Sequence, residues 1–97
     1  MVGPSQLTAS FAGVVRKHRA RRGLSQEALA EAAGIHHTYV SLLERGERKP
    51  TIDVAERLAR ALGKKLSALI AEAEGARGYR EGIRATRTRL PYSPFSR

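Results

Sequence analysis

Apolar residues recur along this 97-residue chain at three- and four-residue intervals and are interrupted by glycines, a rhythm that predicts an all-α fold of short helices. Phe11, Val14, Val15 and His18 share one stripe of a first helix that runs from about Leu7 or Thr8 to Arg22 and stops at Gly23. A second helix follows from Ser25 to Ala33, with Ser25 as its N-cap and Gln26 and Glu27 in its first turn, where the helix dipole favours negative charge. A third runs from about His36 to Arg45 and ends at Gly46. Pro50 and Thr51 announce a fourth, in which Ile52, Ala55, Leu58, Ala59 and Leu62 form one apolar stripe. On its solvated side Asp53 with Arg57, and Glu56 with Arg60, make i,i+4 pairs, and Gly63 stops it. A fifth helix from about Lys65 to Glu74 places Leu66, Leu69 and Ile70 on one side, with Lys64 and Lys65 near its start, against the dipole preference. Residues 1–6 read as a flexible leader and residues 7–74 as one helical domain.

The segment SQEALAEAAGIHHTYVSLLER, residues 25–45, is the most informative stretch. Two helices crossing at roughly 90 to 120 degrees through a turn of about three to four residues need a corner residue that tolerates positive φ, and Gly34 supplies it. Close approach also needs small side chains between the helices. Ala30 lies one turn before Gly34 on the inner face, and Leu29, Ala33, Ile35, Val40 and Leu43 supply the apolar positions that lock the pair. The pattern is that of a helix-turn-helix, a unit that presents its second helix to the major groove of DNA.

Charge narrows the partner class. Lys and Arg number 18 against 9 Asp and Glu, a formal net charge of +9 that suits a polyanion. There is no cysteine, which removes disulfides and thiolate zinc sites, and no run of about 18 apolar residues that could span a membrane. A chain of this length holds one small core and gains from dimerisation. The basic stretch VVRKHRARR lacks the Trp anchors that membrane-surface helices use. Catalysis is not expected: neighbouring His36 and His37 point in different directions on a helix, no HExxH or P-loop motif occurs, and the only aspartate, Asp53, lies on a solvated face. His18 reads as a packed histidine, because no partner ligands sit at metal spacing. Neither a metal nor a cofactor is expected.

From about Phe11 to Ile70 the chain resembles the Xre or phage-repressor-like helix-turn-helix family. The resemblance rests on Arg19, Gly23-Leu24-Ser25-Gln26, Gly34-Ile35, Tyr39-Val40-Ser41, Glu44-Arg45-Gly46, Pro50 and Ala61-Leu62-Gly63 occurring in that order. It implies a five-helix fold and a cytoplasmic, bacterial or phage-encoded regulator acting on nucleoid DNA. That regulator is a repressor that binds a two-fold operator on double-stranded DNA as a homodimer. His37, Thr38, Ser41 and Leu42 map to groove-facing positions, where imidazole and hydroxyl groups hydrogen-bond base edges and Leu42 meets a thymine methyl. Gln26, carried over as a phosphate ligand, is joined by His36, Tyr39, Arg45, Arg48 and Lys49. Arg19 and Glu44 are expected to pair structurally, beside the structural residues Ala30 and Gly34. His36 stands where Ser or Thr would cap better, and the start of helix 5 lacks the family's usual capping Ser or Thr. Leu42 has an alternative place in the core or at a dimer surface, and Arg48 and Lys49 one in a solvated loop.

Residues 75–97 change texture: six arginines and one glutamate, with Gly75, Gly78, Gly82, Pro91 and Pro94 breaking any long element. The segment reads as a flexible basic arm. The alternative is an arm that orders on a protein partner through Tyr79, Ile83, Leu90, Tyr92 and Phe95, as in an antitoxin whose tail docks on its toxin.

Overall fold

A computed structural model of the protein describes residues 6–75. Among these residues there are five helices and no strand: α1 (Gln6–Arg21), α2 (Gln26–Ala33), α3 (His37–Glu44), α4 (Ile52–Ala61) and α5 (Leu66–Glu74). The expected basic arm beyond Gly75, including Tyr79, Ile83, Leu90, Tyr92 and Phe95, lies outside the described residues.

Local chemistry sets most of the boundaries. Ser25 and Thr51 accept from the backbone N–H groups of Ala28 and Val54 at 2.9 and 3.0 Å, which satisfies donors that the first turns of α2 and α4 leave open. α2 ends in a Schellman motif around Gly34, where φ is 74°. The Ile35 N–H reaches Ala30 O at 3.0 Å and the Gly34 N–H reaches Glu31 O at 3.2 Å. A side chain at that φ would be strained, so glycine is what lets the chain turn at once into α3. Lys65 at the start of α5 makes no side-chain cap bond, as its type predicts.

The core draws on every helix. Val15, Leu29, Val40, Leu43, Leu58, Leu62 and Leu69 are fully buried, each contributing about 1.5–3 kcal/mol of transfer free energy. Small residues are buried on both of two helices in contact, Ala30 and Ala33 on α2 and Ala55 and Ala59 on α4. α1 packs chiefly on α5, and α2 chiefly on α3 and α4.

Three features depart from the expected pattern. Ile52, assigned to the buried stripe of α4, is 78% exposed, because it opens the helix a turn before the stripe meets the core at Ala55. Arg57 turns away from Asp53 and extends its guanidinium to the carbonyl oxygen of Gly34 at 3.4 Å, tying α4 to the corner of the helix pair. α1 begins at Gln6, inside the expected leader. A further brace joins α1 to the end of α4: Arg22 donates to Leu62 O at 3.1 Å, and its Nη1 sits 3.0 Å from where a Cβ on Gly63 would lie.

Candidate nucleic-acid interface

α3 is held from behind by a buried ion pair. The Glu44 side chain, 2% exposed, receives Arg19 Nε on one oxygen at 2.6 Å and Arg19 Nη2 on the other at 2.9 Å, a bidentate fork. Arg19 Nη1 adds a bond to Leu24 O at 2.8 Å, so one guanidinium joins α1, the start of α2 and the end of α3. The hydrogen bonds that Arg19 donates to Glu44 raise its pKa, outweighing the opposing effect of burial. The expected Arg19–Glu44 pair is therefore present, with its carboxylate buried.

Gln26 belongs to the same network. Its Nε2 donates to Glu44 Oε1 at 3.0 Å, a contact that no local pattern in the sequence discloses, since the two residues sit on different helices. An amide nitrogen has two protons, so this bond orients Gln26 at the mouth of α2 and leaves one N–H for an outside acceptor.

The other end of α3 is open. His36, His37 and Thr38 are exposed, while Tyr39, Ser41 and Leu42 are half-buried, Leu42 lying outside the core cluster. His36 does cap α3, by an unexpected route: its Nδ1 accepts from the Thr38 N–H at 3.1 Å, which requires a neutral ring with its proton on Nε2. Against the expectation that the two point in different directions, the rings of His36 and His37 stack with centroids 4.6 Å apart, because His36 is the extended cap residue and not part of the helix.

Among the residues expected at phosphates, Arg48 lies over the Tyr39 ring at 4.7 Å, a cation–π contact that joins two of them in space. Arg45 leans instead on exposed Glu47 at 3.2 Å, and Lys49 is exposed in the loop before Pro50. Gln26, the Tyr39–Arg48 pair and the open turn of α3 thus belong to α2, α3 and the loop that follows.

His18 lies away from these groups, buried between α1 and α5. Its Nε2 donates to Glu72 Oε1 at 2.8 Å, while Lys17 contacts the other carboxylate oxygen. Burial lowers the His18 pKa below 6.5, helped by Lys64, Lys17 and Arg21; the charge of Glu72 is already shared with Lys17. Among the described residues no group of three His, Cys, Asp or Glu side chains could hold a metal ion, and no helix is long and apolar enough to cross a membrane.

The helix-turn-helix family model HTH_3 matches residues 15–69, more than half of the chain. The chain belongs to the Xre-like helix-turn-helix family. Members of this family are DNA-binding transcriptional regulators and not enzymes. This helix-turn-helix chain is 43% identical over 56 residues to the control protein C.SmaI of Serratia marcescens, covering 58% of the present chain and 67% of that protein. It is 42% identical over 52 residues to an uncharacterised HTH-type transcriptional regulator of Methanothermobacter thermautotrophicus, covering 54% of this chain and 75% of that one. Among solved structures it is similar to the restriction-modification controller protein C.AhdI of Aeromonas hydrophila, with TM-score 0.62 and 35% identity over 64% of this chain and 94% of that one. The clp gene regulator ClgR of Corynebacterium glutamicum gives TM-score 0.73 and 26% identity over 84% and 87% of the two chains.

Proposed function

We propose that this regulator is a sequence-specific repressor that binds a two-fold operator as a homodimer, with half-sites about one helical turn, roughly 34–36 Å, apart. His37, Thr38, Ser41 and Leu42 read base edges, and discrimination is partly polar and partly through a thymine methyl. Gln26, His36, Tyr39, Arg45, Arg48 and Lys49 hold phosphates, Gln26 with the free N–H groups at the mouth of α2. The protein works in the cytoplasm, on nucleoid DNA.

One observation carries the reading: α3 is anchored at its far end by the Arg19–Glu44 fork while its first turn, with His37 and Thr38, stands exposed. A rigid helix with an unencumbered leading edge is what base readout needs, since a probe that rocks cannot favour one hydrogen-bond pattern over another. The net charge of +9 supports the same partner, and the similarity to control proteins supports a role at promoters. Selection of bound duplexes from a random pool, followed by footprinting at stated salt, tests it. The expected result is a recovered two-fold site; random duplex competing as well as the selected one overturns the reading.

A further inference from the structure

Hydroxyls cap α2 and α4, from Ser25 and Thr51, whereas α3, the helix with the open leading edge, is capped by an imidazole. A hydroxyl would serve the cap as well or better, so the cap alone does not call for a ring. The geometry gives the ring a second effect. His36 is extended, with ψ at 144°, and its Nδ1 accepts from the Thr38 N–H at 3.1 Å, so a bond to the backbone fixes the direction of the imidazole. The ring of His37, the first residue of α3, lies on that plate with centroids 4.6 Å apart and planes 26° from parallel. Among the described residues His37 is exposed and makes no hydrogen bond, so its ring nitrogens stay open to an outside group.

We propose that His36 is a positioning residue for base recognition: its ring, locked by the cap bond, holds the His37 ring at one tilt against the base edge that His37 reads. The proposal rests on the base-reading role given to His37 above and assigns what orients it. An exposed imidazole at the start of a helix turns about χ1 and χ2, and a hydrogen bond weakens steeply as the N–H···acceptor angle leaves the linear range, so the tilt of the ring decides whether an edge is satisfied. A side chain that must be ordered on binding gives back part of what the correct base contributes, whereas at a wrong base nothing is gained by ordering it. Order supplied beforehand therefore raises preference and not affinity alone. The cap bond consumes Nδ1 of His36 and leaves its Nε2–H pointing elsewhere, so the same ring can serve as the plate for His37 and as a donor to a phosphate oxygen. Thr38 is tied by the same bond, but through its backbone N–H, which a serine at position 36 would hold equally well. Only His37 depends on the ring.

His36→Ser keeps a cap acceptor and removes the plate, and its melting temperature is expected to equal or exceed that of the wild type. With duplexes selected from a random pool, the base pair read by His37 is the one whose preference His37→Ala relaxes. At that base pair His36→Ser is expected to lower the preference about two- to tenfold, the range that ordering one side chain spans, and to leave the preference due to Thr38 in place. In a His37→Ala background the same substitution is expected to change no base preference. The free protein carries an independent signature. At about pH 8, long-range proton–nitrogen NMR correlation spectra are expected to find the His36 proton on Nε2, and His36→Ser is expected to shift the ring protons of His37 as the ring current of its neighbour is lost. An intact preference in His36→Ser, with affinity lowered for every duplex alike, overturns the proposal and leaves His36 a phosphate ligand only. An equal effect of His36→Ser with and without the His37 ring also overturns it, as does a neutral His36 protonated on Nδ1. Its failure is distinguishable from that of the operator reading. A wild type that prefers no duplex overturns both; a wild type that selects a site which His36→Ser selects equally well overturns this proposal alone.

Discussion

At its C-terminal end α3 is tied down: Glu44 is buried and accepts three side-chain hydrogen bonds from α1 and α2. At its N-terminal end, two turns away, the bonds of His36 and Thr38 stay within the helix and the side chains of His36, His37 and Thr38 face outward. The same short helix therefore holds a position whose identity is dictated by stability and positions whose identity is almost free of it. A DNA reader needs that division, because base preference can change only where the fold does not depend on the residue.

The contrast is broken most sharply at its anchored end. Arg19→Ala leaves the Glu44 carboxylate buried without its cation and is expected to cost about 3–5 kcal/mol in a denaturant melt; a loss under about 1 kcal/mol would mean that the fork does not hold α3. At the open end the double change Thr38→Ala with Leu42→Ala is expected to remove about 1–3 kcal/mol of discrimination between the selected site and its single-base variants. The unfolding midpoint should hardly move, and an unaltered base preference would remove these residues from the reading edge. Beyond α3, in the loop before α4, Arg48 is held over Tyr39. Arg48→Ala is expected to lower the salt slope of DNA binding by about one unit without changing which bases are preferred, as titrations at several salt concentrations would reveal.

Cap chemistry sharpens the comparison further. His36→Ala removes the acceptor for the Thr38 N–H and is expected to cost roughly 0.5–1 kcal/mol, against about 1 kcal/mol for Ser25→Ala on α2. Paired thermal melts decide this, and a neutral His36→Ala would mean that water caps α3 equally well. The smallest effect is the pH dependence of His18. With its folded pKa below the unfolded 6.5, His18 is neutral in both states well above pH 6.5, and as pH falls through 6.5 the unfolded chain takes up a proton before the folded one. Stability is therefore expected to decline as pH falls below 6.5 and to stop declining, as far as this group is concerned, below the folded pKa. His18→Gln should flatten that slope, and an identical slope in the variant would remove His18 as its cause.

Much of this was readable from the chain. Helix positions, the glycine stops, the caps Ser25 and Thr51 and the inner face of α2 and α3 all follow from local rules, in which a residue's effect depends on neighbours within one turn. The Arg19–Glu44 pair was legible through family resemblance, because the two are 25 residues apart and spacing alone does not join them. The contacts that went unread share one feature. Glu72 with His18, Arg22 with Leu62 O, Gln26 with Glu44 and Arg57 with Gly34 O each join residues on different elements.

Periodicity names the side of a helix that faces inward, but not where along its length a neighbouring helix begins or ends. Ile52 illustrates the limit: it lies in register with Ala55 and Ala59, yet the core stops short of it and leaves it beside an open groove. The amino-acid order was thus sufficient for the five helices, their stops and the kind of partner that a net charge of +9 invites. Three-dimensional packing was needed to say which long side chains meet across helices and which apolar residue stays uncovered, because those outcomes depend on the distances between separately specified cylinders and not on the pattern within any one of them.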